Sequence, residues 1–408
     1  MSDVEQPGIV VVGGGHGGAQ LCNALAAAGL GPRVQLVCAE PVLPYQRPPL
    51  SKAFLKTPGE ALQLHRPAEW FAESGITVHL GDPATAIDRA ARRVTLASGR
   101  VLAYERLVLA TGARPRSLPH LSPGLDNVAE LRSAADAERL RARLDSAASL
   151  TIVGGGFIGL EVAASARARG LAVQVLESAP RLLLRSVSPE LAEHVLRTHL
   201  ASGIEVRLGV AVGGFVVEGQ RLLSLEVNGQ AQPVDLLVLG IGAAPEHGLA
   251  SEAGLHCENG IVVDEFMQTS DPAILAVGDC TSFPEARSGR RLRLESVQNA
   301  NDQARTAAQT LAGAAQPYRA LPWFWSEQGT MRLQMAGLMP ANGARHLRRG
   351  NTPASFSVLH YDGGRLACVE SVNAPMDHIA ARKLLEAGIS PAAAEACDAA
   401  RPLKSFGG

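Results

Sequence analysis

Two glycine-rich segments carry the most specific chemistry in this chain, Gly13-Gly14-Gly15-His16-Gly17-Gly18 and Gly154-Gly155-Gly156-Phe157-Ile158-Gly159. Both obey a Gly-x-Gly-x-x-Gly spacing. In such a loop the first glycine permits a tight strand-to-helix turn, the second admits a pyrophosphate to the backbone, and the third lets the helix lie close to the strand. The N–H groups of the helix then point at the phosphates. Each segment follows a short apolar run, at 9–12 and 150–153, and precedes a helix-forming stretch of small residues. Each is also followed by an acid, Glu40 coming 22 residues after Gly18 and Glu177 18 residues after Gly159, close to the spacing of about 20 that places a carboxylate on an adenosine ribose. Such an acid accepts hydrogen bonds from the ribose hydroxyls and repels a 2′-phosphate, so Glu177 predicts NADH over NADPH. Arg181 and Arg185 stand nearby, either as counter-ions for a 2′-phosphate or as solvated loop arginines. One dinucleotide loop suggests a dehydrogenase. Two suggest that one dinucleotide is held and the other visits, which is the plan of a flavoprotein reductase.

The elements that must position these loops repeat along the chain. Residues 1–112 read as strand, glycine loop and helix, with further strands at 34–37, 78–80, 94–96 and 107–110. Residues 113–247 repeat that plan, with a helix at 160–168 and strands at 173–176 and 236–239, before Gly240-Ile241-Gly242 breaks the pattern. Residues 248–320 carry strands at 261–263 and 274–277 but no glycine fingerprint, and are expected to complete the first domain. Residues 321–408 open on Trp323-Phe324-Trp325 and alternate strand-like pieces at 332–336, 356–359 and 366–369 with a helix at 380–387. The tail from Pro402 is expected to be loose. The fold class is therefore α/β, with two Rossmann-like dinucleotide-binding domains, the first discontinuous (1–112 and 248–320) and the second at 113–247, plus a C-terminal α+β domain at 321–408.

Bulk properties narrow the class. At 408 residues the chain has room for two or three cores. A net charge of −1 gives no reason to expect nucleic acid as a partner. No apolar run is long enough to span a bilayer, and the acidic first residues do not read as a targeting segment, so a cytoplasmic protein is expected. The cysteines, Cys22, Cys38, Cys257, Cys280, Cys368 and Cys397, form no Cys-x-x-Cys pair and no zinc-like cluster with histidine, so reduced structural thiols and no metal are expected.

Two further junctions, Leu109-Ala110-Thr111-Gly112 and Ala276-Val277-Gly278-Asp279, recur in order in flavoproteins that hold two dinucleotides. Pro44-Tyr45-Gln46-Arg47-Pro48-Pro49-Leu50-Ser51-Lys52, Glu295-Ser296-Val297-Gln298-Asn299-Ala300 and Pro322-Trp323-Phe324-Trp325-Ser326-Glu327-Gln328 sharpen the match. Along essentially its whole length the chain resembles the oxygenase-coupled ferredoxin reductases. These are putidaredoxin reductase-like FAD enzymes of glutathione-reductase-like fold that pass electrons from NADH to a two-iron two-sulfur ferredoxin serving a haem monooxygenase or a ring-hydroxylating dioxygenase. The resemblance implies that Lys52 lies near the flavin and Glu161 near the nicotinamide passage. It implies that Arg47 and Arg132 bind FAD, that Asp279 and Val297 hold the flavin, and that Glu295 approaches the nicotinamide carboxamide. Trp323 or Trp325 would border the ring, or plug a domain boundary. Ala84, Thr111, Gly112, Arg185, Gly242, Gly278 and Ser296 complete the implied cofactor-binding set. Some relatives carry an acid where this chain has Ala39, which leaves the ribose role to Glu40 or leaves the ribose without an acid.

Hydride transfer to a flavin needs no protein nucleophile, because the cofactors carry the chemistry and the protein supplies orientation and charge. Lys52 would stabilise negative charge on the reduced ring, restrained by an acid partner. No cysteine stands in the loop Pro48-Pro49-Leu50-Ser51-Lys52, which argues against a thiol relay. Arginines at 287, 290, 291 and 293, and at 345, 348 and 349, are either steering groups for an acidic ferredoxin or solvated loop residues. A monomer is expected. The rival readings are an NADH reductase of rubredoxin or a quinone, an NADH oxidase, and a flavin redox sensor.

Overall fold

The computed structural model describes residues 8–407. Residues 1–7, on which the expectation of no targeting segment partly rests, lie outside it. The described chain packs as two compact units. One comprises residues up to Arg47 with Leu62–Arg114 and Ala243–Ala320, the other Pro48–Ala61, Pro115–Gly242 and Leu321 onwards.

The first unit is built on a parallel sheet in the order Thr77–Leu80, Val34–Cys38, Gly8–Val12, Val101–Leu109, Ile274–Ala276. Its central strands read as unbroken Val/Ile/Leu runs because both faces are covered. Val10, Val11, Leu36, Leu107 and Leu275 are fully buried. The lower half of Val101–Leu109 turns away to pair antiparallel with Arg93–Leu96, which pairs in turn with Ala84–Asp88. That last strand escapes the sequence reading because its residues are mostly exposed and carry no apolar alternation. Helices His16–Ala27 and Val297–Leu311 pack against each other, and Ala243–Ala320 belongs to this unit.

The second unit repeats the device. Its parallel sheet runs Glu205–Leu208, Ala172–Glu177, Ser149–Val153, Leu236–Leu239, Val128–Ala129, with helix Phe157–Ala168 following the second glycine loop. An antiparallel sheet of Val212–Glu218, Arg221–Val227 and Gln230–Pro233 is attached. The C-terminal part is a five-stranded antiparallel sheet in the order Trp323–Gln328, Met331–Gly337, Arg365–Val372, Phe356–Asp362, Ala344–Arg349, covered by helix Pro375–Ala387. The fold class expected from sequence, two α/β dinucleotide-binding layers and an α+β C-terminal part, is what the structure contains. The tail is not loose, however. Leu403 is buried in a short 3-10 turn, Leu403–Phe406, that packs with Leu384 and Ala396, and Arg401 covers the Phe406 ring.

Segment 48–61 belongs to the second unit for identifiable reasons. Ser165 donates to the Ser51 carbonyl (2.7 Å), Arg169 to that of Leu55 (2.9 Å), and Arg141 to that of Glu60 (2.8 Å) while lying over the Phe54 ring.

Candidate active site

Both glycine loops have the same local geometry. Gly13 (φ +117°) and Gly154 (φ +108°) adopt a backbone that L side chains rarely reach, and a Cβ on either would strike a carbonyl, that of Ala110 at 2.2 Å or that of Gly240 at 2.4 Å. At the second glycine the situation reverses. A Cβ on Gly15 would meet nothing closer than Arg47 Nε at 3.9 Å, and one on Gly156 nothing closer than the Gly240 carbonyl at 3.7 Å. The chain's own packing does not require glycine there; a ligand lying on the backbone would. Helices His16–Ala27 and Phe157–Ala168 begin at these glycines with no side-chain cap and no acid in the first turn. An uncapped helix start of this kind suits an anion. These observations fit a pyrophosphate at each loop, with His16, Gly17 and Gly18 opening one helix and Phe157, Ile158 and Gly159 the other.

The two acids are not equivalent. Glu177 ends its strand over its loop, where Oε2 accepts from the Gly155 N–H (2.6 Å) and Oε1 from the Ala179 N–H (2.7 Å). Glu40 accepts from the Tyr45 hydroxyl (2.6 Å) and Arg47 (2.7 Å), so two residues expected at the same cofactor bind each other. Arg181 donates to the carbonyls of Val187 and Leu184 and braces its own turn. Arg185 is exposed.

Around the first loop, Gly278 (φ +87°) donates to Gln303 of helix Val297–Leu311 (2.7 Å). That helix is capped by Ser296, which accepts from Asn299 N–H (3.1 Å). Gly278 is thereby tied to the helix that Ser296 caps and Val297 opens, and the Asp279 carbonyl accepts from Arg293 (3.5 Å). Glu295 is exposed and paired with Arg293 (2.6 Å). The Thr111 hydroxyl and the Gly112 carbonyl engage the Glu246 backbone. Ala84 opens the strand Ala84–Asp88 and is half-buried. In the second unit Gly242 (φ +98°) accepts from Arg116 N–H, and Arg132 precedes the capping box of Ser133 and Asp136.

The most concentrated polar cluster lies on helix Phe157–Ala168. Glu161 is buried, and its Oε2 accepts from Lys52 Nζ (2.7 Å) and the Ser51 hydroxyl (2.5 Å), while Oε1 accepts from the Ser326 hydroxyl (2.6 Å). Lys52 donates also to the Pro48 carbonyl (3.1 Å). The acid partner expected for Lys52 is thus Glu161. Sequence reasoning missed Ser51 and Ser326 as its companions. Both lie inside quoted motifs, but no local pattern links either to a residue so distant in sequence. Trp323 and Trp325 stack at 5.5 Å, as alternation along a strand requires, with Arg382 over Trp323 and Phe324 against Phe157.

Burial works against thiolate formation. All six cysteines are free, and burial pushes the Cys22 thiol far up and Cys38 up to about 12, leaving almost no thiolate at neutral pH. Among the described residues no cluster of metal-ligating side chains occurs, and no helix is long and apolar enough to cross a membrane.

A family model described as pyridine nucleotide-disulphide oxidoreductase matches residues 7–304, and one described as reductase C-terminal matches residues 323–407. The chain belongs to the pyridine nucleotide-disulphide oxidoreductases. This oxidoreductase is 44% identical to rhodocoxin reductase of Rhodococcus erythropolis over 92% of its length and 89% of that protein. It is 39% identical to putidaredoxin reductase of Pseudomonas putida, covering 92% and 91% of the two chains. A solved ferredoxin reductase from Rhodopseudomonas palustris superimposes with a TM-score of 0.95 at 41% identity, covering 99% of this chain and 100% of that one. No two cysteines of this oxidoreductase stand in a Cys-x-x-Cys pair.

Proposed function

We propose that this oxidoreductase is an FAD-dependent NADH:ferredoxin reductase that supplies electrons, through a two-iron two-sulfur ferredoxin, to a haem monooxygenase or ring-hydroxylating dioxygenase. The observation that carries the reading is the duplicated loop, with two open glycines, Gly15 and Gly156, each beneath an uncapped helix start. The relatives support the acceptor. They include rhodocoxin reductase, putidaredoxin reductase and the ferredoxin–NAD(+) reductase component of an anthranilate 1,2-dioxygenase system from Burkholderia cepacia.

FAD, when bound, supplies the conversion of a two-electron hydride donor into a one-electron source. In this reading Gly13, Gly15, Gly18 and the start of helix His16–Ala27 hold its pyrophosphate, with Arg47, Arg132, Thr111, Gly112, Asp279 and Val297 contributing contacts. Gly154, Gly156, Gly159 and Glu177 hold NADH. Lys52 offers positive charge toward the reduced ring, and Glu161 fixes where that charge sits. Trp323 or Trp325 borders the ring, and Glu295 orients the nicotinamide. A cytoplasmic setting, where thiols stay reduced, fits the six free cysteines.

The test is anaerobic stopped-flow mixing with NADH, followed by a two-iron two-sulfur ferredoxin. Rapid bleaching by NADH, slow bleaching by NADPH and rapid reoxidation by the ferredoxin are expected. Bleaching without reoxidation by the ferredoxin would move the acceptor to a quinone, rubredoxin or oxygen. A chain that binds no flavin would overturn the reading.

A further inference from the structure

The Lys52–Glu161 pair is the visible end of a longer chain of hydrogen bonds. Ser326, which donates to Glu161 Oε1 at 2.6 Å, accepts from Gln328 Nε2 at 3.2 Å, and Gln328 Oε1 lies 2.9 Å from His199 Nε2. Three elements supply the links: helix Pro189–Ala201, strand Trp323–Gln328 and helix Phe157–Ala168. The chain is shielded from bulk solvent, since His199 is 2%, Gln328 1%, Ser326 0% and Glu161 5% exposed.

The directions of donation are fixed by chemistry. An ionised carboxylate only accepts, so the Ser326 proton points at Glu161. The Ser326 oxygen is then free to accept, and the Gln328 amide fills it. The amide oxygen of Gln328 faces away and needs a donor, which makes His199 the Nε2–H tautomer. Every proton in the series therefore points the same way, toward one carboxylate oxygen, and dipoles aligned head to tail in a dry interior reinforce one another.

We infer that His199 and Gln328 are positioning residues of the electron-transfer site. Acting through Ser326, they hold negative charge on Glu161 Oε1 and thereby set how much of the Lys52 charge remains available to a reduced flavin. The inference rests on the proposed function for the flavin, but not for the chain of bonds. With Ser326 silent, the carboxylate charge concentrates on Oε2 and draws Lys52 in more tightly, so the reduced ring loses support. A purely structural role for these side chains would change stability and leave the flavin equilibrium where it was.

Two measurements on the full-length, flavin-loaded protein test this. The first is the equilibrium between reduced and oxidised flavin at a fixed NADH to NAD+ ratio. Ser326→Ala should shift it about fivefold toward oxidised flavin, the size expected for one buried hydrogen bond. Ser326→Thr, which keeps the hydroxyl, should restore it. Gln328→Leu should act in the same direction, and Ser326→Ala should have no further effect in a Lys52→Met background. An unchanged equilibrium in Ser326→Ala, or an equal shift when Lys52 is already absent, would overturn the inference. The second measurement does not involve the flavin. Nitrogen-15 NMR of labelled histidine should find His199 neutral with its proton on Nε2, and in the first measurement the conservative His199→Asn should shift the flavin equilibrium less than His199→Phe. A His199 carrying its proton on Nδ1 alone would reverse the series and also overturn it. Loss of flavin binding altogether, by contrast, would strike the proposed function and leave the NMR result standing.

Discussion

Glu177 reaches its own loop through two backbone N–H groups, those of Gly155 and Ala179, so its carboxylate is held in place before any nucleotide arrives. Removing it in Glu177→Ala should lower kcat/KM for NADH about tenfold or more, because hydrogen bonds to a charged acceptor are lost. NADPH should be hardly affected, and steady-state kinetics with both nucleotides measure the ratio. An unchanged ratio would show that the discrimination lies elsewhere. This acid was legible because its spacing from the loop is a local property of a strand–loop–helix unit. Arg181 was not, since only the folded turn shows it bound to the carbonyls of Val187 and Leu184. The same holds for Ser51 and Ser326, each joined to Glu161 across more than a hundred residues of sequence. Arg348 is a further case. It reads as part of a basic cluster, yet it is buried against Asp377 and the carbonyls of Ala396 and Asp398.

Among the elements, the strand–loop–helix units were the most readable, because an apolar run, a glycine loop and a small-residue helix specify one another. The short exposed strand Ala84–Asp88 left no comparable pattern. The loops make two opposed predictions. Gly18→Ala should prevent folding, since its Cβ would lie 1.9 Å from the Gly13 carbonyl, whereas Gly15→Ala meets no protein atom within 3.4 Å and should fold while losing flavin. Circular dichroism and the flavin absorbance of the purified variants separate the two. In the C-terminal sheet, helix Pro375–Ala387 carries His378, whose ring nitrogens find no partner and whose pKa is pushed down to about 4 by burial, with Arg382 and Arg332 adding to the effect. The folded protein keeps this ring neutral while the unfolded chain protonates it near 6.5. Stability from the neutral ring is therefore complete above that pH and falls as the pH drops toward about 4, by roughly 3 kcal/mol in all. His378→Phe should flatten this part of a Tm-against-pH profile. A profile unchanged from the wild type would remove His378 from the account.

At the scale of the molecule, the net charge of −1 conceals local bias. Arg287 and Arg290 are exposed, whereas Arg291 is tied to the carbonyls of Val263 and Ser282, and Arg293 to Glu295. Reversing Arg287 and Arg290 together to Glu should slow ferredoxin reduction about tenfold at low ionic strength, with the difference closing as salt is added, and leave ferricyanide reduction intact. Equal ferredoxin kinetics at low salt would sink this assignment. The grouping of the segments was legible in part. Ala243–Ala320 packs in the first unit, and the absence of a glycine loop from residues 248–320 was the only sequence signal for such a grouping. That residues 48–61 pack with the second unit was not readable, because the arginines and serine that hold them are scattered over helices that arrive much later in the sequence.

That late arrival has a consequence for biosynthesis. As the chain leaves the ribosome, Leu50, Phe54 and Leu55, all buried in the finished protein, emerge well before Arg141, Ser165 and Arg169. They must wait without their proper neighbours, a state that invites aggregation. The parallel sheet around Gly8–Val12 stays open too until Ile274–Ala276 is made, and Glu161 lacks its third donor until Ser326 appears. Translation that stops short of the C-terminal sheet therefore yields no smaller working reductase. It yields a chain with an unfinished charge site and exposed apolar side chains, a substrate for chaperones and proteases.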